Sequence, residues 1–227
     1  MEIFIDCADK SEIAKWLNYG AVDGVTTNPS IMLKDGVTDI EKEVKEIAAL
    51  VENRPVSIEV TTNDLNEMVV QARTFAHWAP NIVIKIPIVN EYGIPCLGVI
   101  RTLESEGIRV NTTVMMAFGQ VVLAAKAGAT YASIFAGRVA DEGHDAPALI
   151  KASVDWLERW HYKTRVIVGS IRGVIDIQAA AQAGAHIITI PPQFMAKMAD
   201  HKYSRATVHD FVADAQKVMA QRDRVRV

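Results

Sequence analysis

The sequence predicts an α/β fold: a single (β/α)8 TIM barrel with one additional C-terminal helix. Three observations carry that expectation. Ile- and Val-rich runs of strand length alternate with helix-period segments along the whole chain. The runs show little polar alternation, which suits strands covered on both faces, as in a parallel sheet. Eight strand–helix units in 227 residues average about 28 residues each, close to the repeat of a ~250-residue barrel. A doubly wound open sheet shares this alternation and is the runner-up. Against it, no Gly-x-Gly-x-x-Gly fingerprint follows the first run.

The elements follow in order. Glu2–Ile5 is the first strand. Asp9 followed by Glu12 reads as a capping box that opens the first helix, and Gly20 stands where a left-handed C-cap is expected. Gly24–Thr26 is the second strand. Ile40, Val44, Ile47, Ala48 and Val51 then share one helical face before the third strand, Pro55–Val60. Leu65, Met68, Val69, Ala72 and Phe75 mark the next helix, and Ile82–Pro87 the fourth strand. Gly107, Gly128 and Gly184 each close a helical stretch. The strands around them are Arg109–Met115, Thr130–Phe135, Arg165–Val168 and His186–Ile190. No linker or low-complexity segment divides the chain, so residues 1–227 are expected to form one barrel domain. Residues 205–220 form the extra helix, with an apolar stripe of Val208, Phe211, Val212 and Ala215. That stripe suits either a helix closing the barrel's bottom or an arm on a neighbouring subunit.

Composition narrows the function. Half the residues are hydrophobic and 22% are charged, enough for a large packed core and unlike a disordered chain. With 27 acidic and 24 basic residues the net charge is −3, which argues against nucleic-acid binding. Charges interrupt every apolar run before membrane-spanning length, and the first residues lack a secretory signal. Cys7 and Cys96 make neither a disulfide framework nor a zinc spacing. A reducing cytoplasm is the expected compartment, with no membrane and no nucleic-acid partner.

In a (β/α)8 barrel the C-terminal strand ends converge on one mouth, where catalytic groups sit. Here those ends supply Asp6, the Thr26-Thr27-Asn28-Pro29 segment, Glu59, Lys85, Thr113, Ser133 with Arg138 beyond it, and Ser170 with Arg172. The eighth strand ends in Ile190-Pro191-Pro192 and offers no charged group. Lys85 is the most informative residue, standing in the otherwise apolar Ile82-Val83-Ile84-Lys85-Ile86-Pro87-Ile88. Neither face of a central strand reaches bulk water. A buried ammonium is costly, so such a lysine tends to act as a nucleophilic amine. The bland alternatives are a structural lysine paired with a carboxylate, or one snorkelling out at the strand end. Glu59 is a second charge in an apolar strand, suited to proton or water management or to a static pair with Lys85. Asp6 adds a carboxylate at the same mouth, or serves as a cap or turn residue. Asn28 before Pro29 fits an ordinary turn, and Thr113, Ser133 and Ser170 fit helix caps. Arg138 and Arg172 together suit an anionic substrate end.

Several other chemistries lack their motifs. There is no Gly-x-x-x-x-Gly-Lys loop, no His-Glu-x-x-His and no Gly-x-Ser-x-Gly elbow. His144-Asp145 has no second histidine nearby, so no metal site is expected. His77-Trp78 and the pair Trp156 and Trp160 read as helix-surface packing, and Met115-Met116 as core filling.

The segments Ile5-Asp6-Cys7-Ala8, Gly24-Val25-Thr26-Thr27-Asn28-Pro29-Ser30, Val83-Ile84-Lys85-Ile86-Pro87, Ala124-Ala125-Lys126-Ala127-Gly128-Ala129 and Gly169-Ser170-Ile171-Arg172 closely resemble the transaldolase family. The match is to its short subfamily, which also contains fructose-6-phosphate aldolases. The resemblance covers nearly the whole chain. It implies class I Schiff-base aldol chemistry of carbohydrate metabolism, as in the pentose phosphate reactions, with no cofactor and no metal. On that resemblance, Lys85 is the Schiff-base lysine and Asp6 the acid/base group. Glu59 and Thr113 hold the catalytic water. Asn28 and Ser133 hold the donor's hydroxyls, with Thr27 and Phe135 in the same substrate set. Arg138, Ser170 and Arg172 form the site for the terminal phosphate. The aldolase branch typically carries Gln in place of Glu59 and Tyr in place of Phe135, so transfer to an aldose acceptor is favoured over release of free dihydroxyacetone. Departures from the family pattern at Val114-Met115-Met116, Ser133-Ile134-Phe135-Ala136-Gly137-Arg138, Gly173-Val174 and Glu91-Tyr92-Gly93-Ile94-Pro95 leave room for another anionic ketose, such as a sulfonated sugar. A non-catalytic barrel used as a binding module is the non-enzyme alternative. The family pattern and the extra helix point to a homo-oligomer, a pentamer or decamer.

Overall fold

The structure, a computed structural model, describes residues 1–225. It divides into two compact units, residues 1–192 and the chain from 193 onward. In the first unit eight parallel strands close into a barrel in sequence order. They are β1 (Glu2–Asp6), β2 (Gly24–Thr26), β3 (Val56–Glu59), β4 (Ile82–Pro87), β5 (Val110–Met115), β6 (Tyr131–Phe135), β7 (Arg165–Gly169) and β8 (Ile187–Ile190). Closure runs through β1 and β8, with Glu2 opposite Ile187 and Ile5 opposite Ile190. That pairing removes the open-sheet alternative. Each strand lies within two residues of its predicted bounds.

The connecting helices are α1 (Lys10–Asn18), α2 (Pro29–Lys34), α3 (Ile40–Leu50), α4 (Leu65–Ala76), α5 (Leu97–Ser105), α6 (Phe118–Lys126), α7 (Ala136–Asp141), α8 (Ala146–Arg159) and α9 (Val174–Gln182). Two of these, α2 and α7, have six residues each, too short for a readable apolar period. Past β8 come α10 (Pro192–Ala199) and the long α11 (Lys202–Val225), which extends the expected helix at both ends. No described helix is long and apolar enough to cross a membrane.

Cap chemistry sets the helix ends. The Asp9 carboxylate accepts from the N–H groups of Ser11 and Glu12, but the expected capping box is only half made. Glu12 instead turns to Lys15 and to the indole N–H of Trp16, and the Asp9 N–H goes to Cys7 Sγ at 3.2 Å. Gly20, Gly107, Gly128 and Gly184 all have positive φ, from 70° to 95°, as their C-cap reading requires. Asp145 caps α8 through the Ala148 N–H.

The period of two along each strand builds the site. Phe4, Val83, Tyr131, Ile167 and Ile187 form one buried apolar cluster, with Phe4 and Tyr131 edge to face. Two residues further along the same faces stand Asp6, Lys85, Ser133, Gly169 and Thr189. A dry floor thus gives way to a polar mouth one pleat higher. Gly24 makes the floor fit, since a Cβ there would sit 2.7 Å from the Phe4 ring.

Candidate active site

A cavity of about 180 Å³ opens at the C-terminal ends of the strands. It is lined by Asp6, Thr26, Asn28, Lys85, Asn111, Thr113, Ser133, Phe135, Arg138, Gly169, Ser170, Arg172 and Thr189. Nine of the eleven residues singled out from sequence therefore converge on one space. The other two, Glu59 and Thr27, touch Lys85 instead.

Lys85 is 4% exposed. Its Nζ donates to the Thr27 carbonyl at 2.9 Å and stands 3.4 Å from Glu59 Oε2. Glu59 lies directly opposite Lys85 in the β3–β4 register, and Asn111 opposite Lys85 in the β4–β5 register. The three groups therefore share one level of the barrel. Thr27 does not line the cavity. Its hydroxyl donates to the Ser57 carbonyl at 2.9 Å, while its own carbonyl accepts from Lys85. Its backbone carbonyl reaches the site through Lys85 Nζ.

Asp6 accepts from the Thr26 hydroxyl at 2.6 Å. Burial pushes its carboxyl above the ordinary value, against the opposing pull of Lys85 and the Thr26 hydrogen bond. Asp35 and Glu59 add to the rise. A carboxylate balanced between burial and a neighbouring amine is suited to passing a proton in both directions.

The Ser133 side of the cavity is preorganised. Ser133 Oγ donates to Asn111 Oδ1 at 2.6 Å, and Asn111 Nδ2 donates to Ser57 Oγ at 3.2 Å. Asn28 caps α2 by accepting the Ile31 N–H at 2.9 Å. Its amide oxygen is spent there, which leaves its NH2 group for a ligand. Cap and binding residue are thus compatible readings of one side chain. Thr113 Oγ1 is fully buried without a partner in the chain. Just past it the β5–β6 register shifts, and Val114 takes φ 62°. A β-branched residue in the left-handed region is strained, and here the strain sits beside the reacting level.

Two guanidinium groups guard the cavity's rim. Arg138, on α7, lies 5.5 Å over the Phe135 ring. Arg172, between β7 and α9, pairs with Asp141 at 2.7 Å, with both side chains more than half exposed. Their backbones meet closely. A Cβ on Gly137 would fall 1.9 Å from the Ser170 carbonyl oxygen, and Ser170 itself holds φ 60°. Glycine at 137 is therefore what lets the β7–α9 loop close onto α7.

Four lining residues have no role assigned from sequence: Thr26 and Gly169, which lie in the quoted motifs, and Asn111 and Thr189, which do not. None is charged. The signal that finds them is inward phase: each lies an even number of residues from an inward-facing position of its strand. Among the described residues, no group of three or more His, Cys, Asp or Glu side chains is gathered for a metal ion.

Comparison with known proteins bears on the family and the fold. Residues 3–227 match the family described as Transaldolase/Fructose-6-phosphate aldolase. A probable transaldolase of Dehalococcoides mccartyi is 41% identical over 218 residues, covering 96% of this chain and 99% of that protein. Probable transaldolase 2 of Listeria monocytogenes is 42% identical over 214 residues, 94% of this chain and 95% of that protein. Among solved structures, a chain of the Amycolatopsis orientalis BexX/CysO complex superposes with TM-score 0.59 at 14% identity, over 85% of this chain and 80% of that one. A mandelate oxidase variant superposes with TM-score 0.57 at 15% identity, over 81% and 59% of the two chains. At such identities the superpositions speak for the barrel alone.

Proposed function

This chain belongs to the transaldolase/fructose-6-phosphate aldolase family, and on that premise we propose that it is a transaldolase working through a Schiff base on Lys85. It would move a dihydroxyacetone unit from an anionic ketose to an aldose acceptor. One observation carries the reading. A nearly unexposed amine opens onto the cavity while the Thr27 carbonyl and Glu59 hold its nitrogen from behind.

The steps follow from the placement. Lys85 Nζ, as the free amine, adds to the ketone carbon of the donor. Glu59 and the unpartnered Thr113 hydroxyl hold the water formed as the carbinolamine dehydrates to the iminium. Asp6 takes the proton of the C4 hydroxyl, the C3–C4 bond breaks, and its electron pair moves into the iminium, leaving an enamine on Lys85. The aldehyde fragment departs. A second aldehyde enters, the enamine carbon attacks its carbonyl, and Asp6 returns the proton to the new alkoxide. Water then hydrolyses the iminium and frees the product. Covalent attachment supplies the electron sink, which basicity alone would not. The Ser133–Asn111 pair and the Asn28 amide suit the hydroxyls of the retained three-carbon unit. Arg138, Arg172 and Ser170 suit the anionic end.

Transfer is favoured over release because the partly buried Phe135 ring presents no hydroxyl to the cavity, and a drier pocket lets aldehyde compete with water. The test is a single turnover of fructose 6-phosphate with and without erythrose 4-phosphate. Acceptor-dependent formation of a new ketose phosphate supports transfer, whereas free dihydroxyacetone at a rate indifferent to acceptor selects the aldolase. A specialised anionic ketose, such as a sulfonated sugar, is a second reading. It is favoured by Gly173-Val174 directly after Arg172, where Val174 is 40% exposed and contributes no hydrogen-bonding side chain. A homo-oligomer is supported by the apolar residues that α11 leaves exposed. A reducing, cytoplasmic setting is supported by two buried free thiols, of which Cys7 is pushed up to about 12 by burial.

A further inference from the structure

The carboxylate of Asp6 is not held by the chain around it but by a relay from two other strands. Thr26 Oγ1 lies 2.6 Å from Asp6 Oδ1 and is hydrogen-bonded on its other side to Thr189 Oγ1. A threonine hydroxyl has one hydrogen, and an ionised carboxylate only accepts. Thr26 must therefore spend its hydrogen on Asp6, and Thr189 must donate to Thr26. The order is fixed: Thr189 on β8, Thr26 on β2, Asp6 on β1. Glycine at 169 leaves room for Thr189, whose methyl group lies 3.2 Å from where a Cβ at that position would stand. Both threonines are nearly unexposed, at 2% and 6%, so water does not replace the relay. Both also line the reacting cavity.

We propose that Thr26 and Thr189 are positioning residues for Asp6. They commit its Oδ1 to the barrel wall, so that only Oδ2 is left to exchange the proton of the substrate hydroxyl. The relay survives both protonation states, since Oδ1 remains an acceptor when Oδ2 is protonated. It also favours the ionised form, which burial opposes. The groups that bear on Asp6 are Lys85 from β4, Thr26 from β2, Asp35 after α2 and Glu59 from β3. Of these, only Lys85 and Thr26 favour the charge. The proposal rests on the Schiff-base reading of the site and deepens it at the proton-transfer step.

The test uses Thr26→Val, Thr26→Ser and Thr189→Val in the full-length protein, with two readouts. Borohydride trapping of dihydroxyacetone on Lys85 reports imine formation, which needs no C–C cleavage. The pH profile of ketose cleavage reports Asp6. For Thr26→Val the expected result is normal trapping, kcat lowered tenfold or more at little change in KM, and an acidic limb moved to higher pH. Thr26→Ser should restore both, and Thr189→Val should move the limb the same way by less. Thr26→Val with normal trapping and an unmoved limb overturns the proposal and leaves the lysine chemistry standing. Loss of kcat that Thr26→Ser fails to restore also overturns it, in favour of a packing role. No trapped adduct in the unaltered protein overturns the Schiff-base reading, and this proposal with it.

Discussion

Asp6 shows how far the site is built against stability. Burial raises its carboxyl above the ordinary 3.8, so ionising it is harder in the folded chain than in the unfolded one. The stability its protonated form contributes is full at pH below that ordinary value and is lost as pH rises through the raised one. Asp6→Asn never ionises. It should therefore melt at a higher temperature than the parent at neutral pH, with the gain shrinking toward pH 4, while cleavage falls by about 10²–10⁴-fold. Calorimetry at two pH values beside a kinetic assay checks both halves, and a lower melting temperature at neutral pH would contradict the account. Arg172→Ala should raise KM for the anionic substrate about tenfold or more and leave kcat nearly unchanged, as loss of a charge-assisted contact does. At this scale the sequence showed most of what charge reveals. Lys85 was legible because it is the one charged residue of β4, whose other residues are all apolar. Asn111 and Thr189 were not, because an uncharged polar residue in a strand signals nothing until its inward phase is known. The contact of the Thr27 carbonyl with Lys85 was not legible either, since every residue has a carbonyl and only the fold says where it points.

Among the elements, α7 and the loop after β7 form one device. Six residues of helix carry Arg138, the following pair with Asp141 orients Arg172, and the bare Gly137 lets the two backbones touch. Gly137→Ala places a methyl carbon 1.9 Å from a carbonyl oxygen that belongs to backbone and has little room to yield. The expected cost is about 1–3 kcal/mol of stability, read as a lower midpoint in urea, together with a raised KM for the anionic substrate. Unchanged midpoint and KM would mean that the close approach is not needed. The strands were readable from apolar runs covered on both faces, and most helix ends from Asp caps and glycines of positive φ. The short α7 was not, since one and a half turns carry no period, and its partner Arg172 lies 31 residues from Asp141. The capping box at Asp9 is half made because tertiary and local partners intervene: Glu12 pairs with Lys15 and Trp16, and the Asp9 N–H goes to Cys7 Sγ.

For the whole molecule, the barrel class followed from the count and spacing of strand–helix units, and the closure between β1 and β8 settled which of two alternating folds it is. The 24-residue α11 leaves Val208 60%, Phe211 69%, Val212 53% and Met219 63% exposed, along one side of a helix. Such a stripe is unfavourable in water unless something covers it, and a second copy is the cover that the homo-oligomer reading predicts. Sedimentation should give a mass that is a multiple of 24.9 kDa, and Phe211→Ser with Val212→Ser should shift it toward the monomer. A monomeric parent would contradict that reading. The central claim concerns a single bond, between Lys85 Nζ and the carbonyl carbon of the donor. Incubation with fructose 6-phosphate, reduction with borohydride and peptide mass spectrometry should find a reduced three-carbon adduct on Lys85, with Lys85→Met both unlabelled and inactive. An unlabelled Lys85 in a turning-over enzyme, or an active Lys85→Met, would contradict it.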